Sequence, residues 1–191
     1  MMSHNLCMND RRKKTAPFLR PVALLWACVF ATVVAACPAQ EAAKPGEITT
    51  AYDQSSDTTK VMLQPMIIIS RKREELRLGA VSVHHGRVIA KPNEVALVFV
   101  SLSVEGGNRY ESARKLTIVA DGRRFALGET QRTVQSGNGV FIESMTAVVP
   151  YEIFSQTAYA KKVSVKLGLT EFELNSDHTK MLRAAASYMT Q

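Results

Sequence analysis

The sequence predicts a mainly β protein: an antiparallel β-sandwich-like single domain with a short helix and a C-terminal helix. Three observations point there. Apolar and polar residues alternate over much of residues 59–174, the period of two that half-buried strands require. Asp121-Gly122 sits between two such runs, and glycine's tolerance of positive φ makes that pair a favoured hairpin turn. The strand-like runs also follow one another with turn residues between them, which favours antiparallel layers over alternating β and α units.

Each element has its own signal. "KVMLQPMIIIS" is apolar and β-branched with Pro65 inside it, so it belongs at a sheet edge or carries a bulge. "RKREE" is a charged break. "LRLGAVSVHHG" places Leu76, Leu78, Ala80 and Ser82 on one face. "VALVFVSLSV", residues 95–104, is apolar without interruption, as expected of a central strand covered on both faces. In "KLTIVADGRRFALG", Leu116 and Ile118 lead into the turn, and Phe125 and Leu127 lead out. A second pair of strands is centred on Ser136-Gly137-Asn138-Gly139. Pro150 opens a short helix with Tyr151, Phe154 and Ala158 on one face. "KKVSVKLG" turns Val163, Val165 and Leu167 inward, and "TEFELN" follows it. Ser176 is placed to cap a last helix whose apolar face is Met181, Leu182, Ala185 and Tyr188. The total is seven or eight short strands and two helices.

Upstream the chain changes character. Residues 1–36 read as a signal peptide, residues 37–58 as a lipidated cysteine and flexible linker, and residues 59–191 as the domain. The linker's end, "TTAYD", reaches the domain through Tyr52. "NDRRKKTAPFLR" is a positive flank, and "PVALLWACVFATVVAA" is uncharged, the layout of a secretory signal. Met8 is an alternative start to Met1 or Met2. Of the net charge of +7, residues 1–37 hold +4, from Arg11, Arg12, Lys13, Lys14 and Arg20 against Asp10. The remaining +3 is an ordinary surface and argues against a nucleic-acid partner. Cys7, Cys28 and Cys37 are the chain's cysteines, so nothing after Cys37 forms a disulfide or a thiolate metal site.

Val34-Ala35-Ala36-Cys37 resembles the bacterial lipobox. Small residues before the cut suit a membrane-embedded peptidase, and the Cys37 thiol takes a diacylglycerol. Two or three acyl chains then anchor stably where one is marginal. Two rivals stay open. One is an ordinary signal cleaved near Ala39, giving a soluble exported protein. The other is an uncleaved anchor, since Pro21 to Gln40 is uncharged and long enough to span a bilayer.

Catalytic patterns are missing from the sequence. There is no H-E-x-x-H, no zinc-deaminase signature, no EF-hand loop and no G-x-S-x-G. His84 and His85 face opposite ways on a strand and read as surface residues, as does His178 in the first turn of the last helix. Glu171 and Glu173 share a face, best matched by Lys162 and Lys166 on the neighbouring strand. Arg71, Lys72, Arg73 and Arg77, with Glu74 and Glu75 among them, read as a solvated face with anionic lipid or polysaccharide as the fallback contact. Arg123 and Arg124 extend a hairpin tip. No cofactor, metal or catalytic residue is expected.

The chain from "ADGRRFALGE" onward resembles small exported domains of bacterial proteins of uncharacterised function. The shared order is a DG hairpin, a strand, a helix-to-strand passage on Phe154, Ala158, Ala160 and Val163, an "EF.L" strand and a closing helix. The resemblance brings no catalytic residue and implies that these four residues pack. The expectation is therefore a non-enzymatic envelope lipoprotein. It would face the periplasm or exterior, tied to a lipid bilayer through acylated Cys37, with an envelope protein or polysaccharide as partner. A periplasmic hydrolase of envelope polymers and a small-ligand or lipid carrier are the alternatives.

Overall fold

The computed structural model describes residues 43–104 and 109–191. Val34, Ala35, Ala36 and Cys37 lie outside the described residues. Within them the chain order is β1 (Ile48–Asp53), β2 (Thr58–Arg71), β3 (Glu74–His85), β4 (Glu94–Ser103), β5 (Lys115–Ala120), β6 (Arg123–Glu129), β7 (Gln131–Gly137), β8 (Val140–Pro150), α1 (Tyr151–Tyr159), β9 (Val163–Leu167), β10 (Thr170–Leu174) and α2 (Ser176–Tyr188). A six-stranded sheet runs β1-β2-β3-β4-β8-β7 and a four-stranded sheet runs β10-β9-β5-β6. Every pairing is antiparallel. This is the mainly β, sandwich-like architecture with two helices that the alternation predicts.

One core joins the layers. The large sheet contributes Val61, Leu63, Leu76, Leu78, Val95, Leu97, Phe99, Met145 and Val149 from its inner face. The small sheet contributes Leu116, Ile118, Val163, Val165 and Leu167, and the helices contribute Phe154, Ala158, Leu182 and Ala185. The expected inward residues of β3, β5, β9 and α1 are all buried. The helices are tied to each other by Tyr151, whose hydroxyl donates to the Ala186 carbonyl at 2.9 Å.

Turn chemistry sets the registers. Asp121 and Gly122 both have positive φ, 46° and 84°, between β5 and β6, and Asn138 and Gly139 repeat the pattern between β7 and β8. Both are the mirror-image turns that match strand twist. Pro65 sits at a register shift between Leu63 and Met66, inside β2 rather than at an edge. Opposite it, Gly79 leaves room for the distortion. A Cβ there would lie 2.8 Å from the Leu63 carbonyl oxygen and 3.2 Å from the Pro65 ring.

Several expectations need correction. Residues 48–58 are not linker: β1 pairs with β2 from Ile48 opposite Leu63 to Asp53 opposite Thr58. Ile48, Thr50 and Tyr52 lie opposite the buried Leu63, Val61 and Thr59, yet Thr50 is itself exposed, so low hydrophobicity masked a sheet-edge strand. Tyr52 is held by a hydroxyl bond to Asp57 at 2.8 Å and by the Arg87 guanidinium 4.1 Å from its ring. β4 is central but sealed on one face only: Val95, Leu97, Phe99 and Ser101 are buried, while Ala96, Val98, Val100 and Leu102 are partly buried. Strands β2 and β3 are long, at 14 and 12 residues. The cap of α2 is Asn175, not Ser176. The Asn175 side chain accepts from the His178 amide at 2.9 Å, and His178 returns the bond to the Asn175 amide.

Gly79→Ala is expected to destabilise the fold by about 1–3 kcal/mol, because the methyl group is forced onto a backbone oxygen. A lowered urea midpoint with unchanged slope is the expected reading, and an unchanged midpoint contradicts the fit described for the bulge.

Candidate functional site

Polar side chains converge at one end of the sandwich. Glu143 is in phase with Met145, Ala147 and Val149 on the inner face of β8, and it is 1% exposed. Its carboxylate accepts from Arg132 Nε at 2.8 Å, with a second guanidinium nitrogen 2.7 Å away. It also accepts from the backbone amides of Arg109 at 3.2 Å and Tyr110 at 3.4 Å. Arg109 pairs in turn with Glu74 on β3. Tyr110 is buried, with its hydroxyl 3.2 Å from that of Thr170, and burial pushes its phenol pKa up. The group ties the segment before β5 to both sheets. A buried carboxylate with this many donors is a satisfied structural pin, and leaving either charge alone there costs about 3–5 kcal/mol. Beside it, Arg71, Lys72 and Arg73 rim an open hollow of about 290 Å³. Glu74 and Glu75 share the hollow, with Arg71 and Arg77 as their respective ion-pair partners.

A serine–histidine pair does form. Ser82 Oγ and His84 Nε2 lie 2.8 Å apart on β3. Two residues apart on one strand, they point the same way, into the sandwich. They are 1% and 5% exposed, so no substrate reaches them, and the bond satisfies a buried histidine. His84 is therefore a core residue, not the surface residue expected, while His85 is exposed. His178 is also not simply exposed: it is half-buried, and its Nε2 lies 2.9 Å from the Ile67 carbonyl. That oxygen only accepts, so Nε2 donates and Nδ1 takes the Asn175 amide hydrogen. The imidazole fastens α2 to the irregular part of β2.

Glu171 faces Lys166 across β9 and β10, and Lys162 Nζ reaches Glu173 at 3.1 Å, the cross-strand match expected. Among the described residues no three or more His, Cys, Asp or Glu side chains gather as a metal site. Arg123 donates to Gln156 at 2.8 Å and lies over Phe125, lining a second shallow hollow with Tyr159.

The feature that sequence reading left incomplete is the outer face of the large sheet. Met62, Val81, Ala96, Val98, Val100 and Leu102 point outward on β2, β3 and β4, by alternation from their buried neighbours. Val83 is 54% exposed and Val148 57%. With Val81, His85, Asn93, Glu94 and Ala96 they line an open hollow of about 370 Å³. An antiparallel sheet with one wet face normally alternates apolar inside and polar outside. Here the central strand β4 is apolar on both sides from Val95 to Val100. The signal was present in "VALVFVSLSV", which reads as covered twice.

No protein-family model, curated protein or solved structure matches the chain.

Asp121 supplies a pH-dependent test of the small sheet. Its carboxylate accepts from the amides of Lys162 at 2.9 Å and Lys161 at 3.0 Å, and these bonds hold its pKa below the ordinary value. Because the folded pKa is lowered, the stabilisation is present above the unfolded value of about 3.9 and is lost as pH falls through the folded one. Asp121→Asn keeps a residue that accepts positive φ. Its urea midpoint should lie below wild type at pH 7, with the gap closing below about pH 4; a gap independent of pH contradicts the carboxylate's role.

Proposed function

We propose that this chain is a lipid-anchored, non-enzymatic protein of the cell envelope, whose β-sandwich docks another component through the open face of its large sheet. The observation that carries the docking role is the apolar outward row of β4, Ala96, Val98, Val100 and Leu102, flanked by Val83 on β3 and Val148 on β8, each more than half exposed. Contiguous apolar surface of this kind marks interaction sites on soluble domains. The buried Ser82–His84 pair gives no support to a hydrolase at that position, since its two side chains are sealed in the core. No helix among the described residues is long and apolar enough to cross a membrane.

The anchoring role rests on Val34-Ala35-Ala36-Cys37. Acylation of Cys37 would fix the domain close to a bilayer, because the chain from Cys37 to Ile48 reaches at most about 40 Å. The docking face then works near a surface where partners are concentrated in two dimensions.

Mass spectrometry of the mature protein from native membranes tests the anchor. The expected N-terminal peptide begins at Cys37 and carries a diacylglyceryl thioether. Cys37→Ser should abolish the lipid adduct and leave the leader uncut, so that the unprocessed precursor accumulates. An unacylated peptide beginning after Ala39 overturns the anchor.

A further inference from the structure

The open face also indicates its occupant, and this step rests on the docking role proposed above. We propose that the outer faces of two copies of this chain pack against each other, so that the working unit is a dimer with the two large sheets stacked face to face.

Size supports a second copy. Six strands at about 4.8 Å spacing, over about eight residues of length, give a face of roughly 800 Å², which is what each partner of a stable complex commonly buries. Sheet geometry supports it too. A twisted antiparallel sheet face is matched by another of the same hand, stacked about 10 Å away with the strands about 30° apart.

Charge selects against the other occupants. The middle of the face, where Val81 meets Ala96 and Gly79 meets Val98, holds no charged residue on β3 or β4. Charges stand toward its two ends, with Arg77 beside Val100. Lys60 lies opposite Val83 on β2, with Glu94 at the start of β4. Arg77 and Glu75 are ion-paired on β3 at the other end. Asp53 on β1 shares the Lys60 end, so each end carries charge of both signs. A twofold copy finds opposite charges available at both ends. An anionic lipid surface or polyanion finds no basic field, since peripheral membrane binding draws on clustered Lys and Arg. The basic turn at Arg71, Lys72 and Arg73 ends the β2–β3 hairpin beyond the Arg77 end of this face.

The absence of cysteine after Cys37 makes a clean test possible. Val98→Cys places a thiol at the centre of the face, and Val148→Cys places one at an already exposed position that tolerates change. Glu171→Cys, on the solvent side of β10, is the control. The full chain carrying each substitution is treated in intact cells with a short bis-maleimide, and adducts are identified by mass spectrometry. The expected result is a homodimer adduct from Val98→Cys and Val148→Cys, several-fold above both Glu171→Cys and wild type. Adducts to a different protein overturn self-association and leave the docking role standing. Absence of any adduct above wild type at both positions overturns both.

Discussion

Val95, Leu97 and Phe99 on β4 are sealed between the large sheet's neighbours and the layer opposite, and this contact organises the molecule. β4 pairs with β3 on one side and β8 on the other, so its inner residues are the centre on which the small sheet and the helices converge. Burying large apolar side chains contributes about 1.5–3 kcal/mol each. Without disulfides after Cys37, that burial is the main source of stability. The same strand fixes the outer face. With a period of two, setting Val95 inward sets Ala96, Val98 and Val100 outward, and no slip of register relieves both sides at once.

Polar groups serve this arrangement rather than a reaction. Glu143 is placed inside by the alternation of β8, where a hydrophobic residue would be expected, and four donor contacts make it tolerable. It fixes the segment leading into β5, and hence how the small sheet meets the large one. Asp121 holds the end of the passage from α1 to β9. His178 joins the first turn of α2 to β2. Glu143 and His178 fasten separate layers, Asp121 fastens neighbours at the end of the small sheet, and Glu143 lies deep in the packing.

Much of this was legible in the sequence. Strand identity, the two mirror-image turns, the bulge at Pro65 and the inward residues of β9 follow from local pattern, because each depends on neighbours a few positions away. β1 was hidden because an edge strand over a partly wet rim needs few apolar residues. The fates of His84 and His178 depend on partners distant in sequence or on which face a strand turns inward, such as Ile67 for His178. Glu143 had a readable signal, its phase with Met145 and Val149, but Arg132 as partner follows only from the pairing of β7 with β8. The open face had the opposite fate: the sequence shows that β4 asks for cover on both sides, while the fold of one chain supplies it on one.

A central strand that is apolar on both faces calls for cover on both. Sedimentation equilibrium of the full chain in mild detergent, compared with Val148→Lys, measures this directly. The account predicts a concentration-dependent shift to twice the monomer mass for the wild type, and a monomer for the lysine variant at the same concentrations. A wild-type chain that remains monomeric up to the highest concentration reached would contradict it.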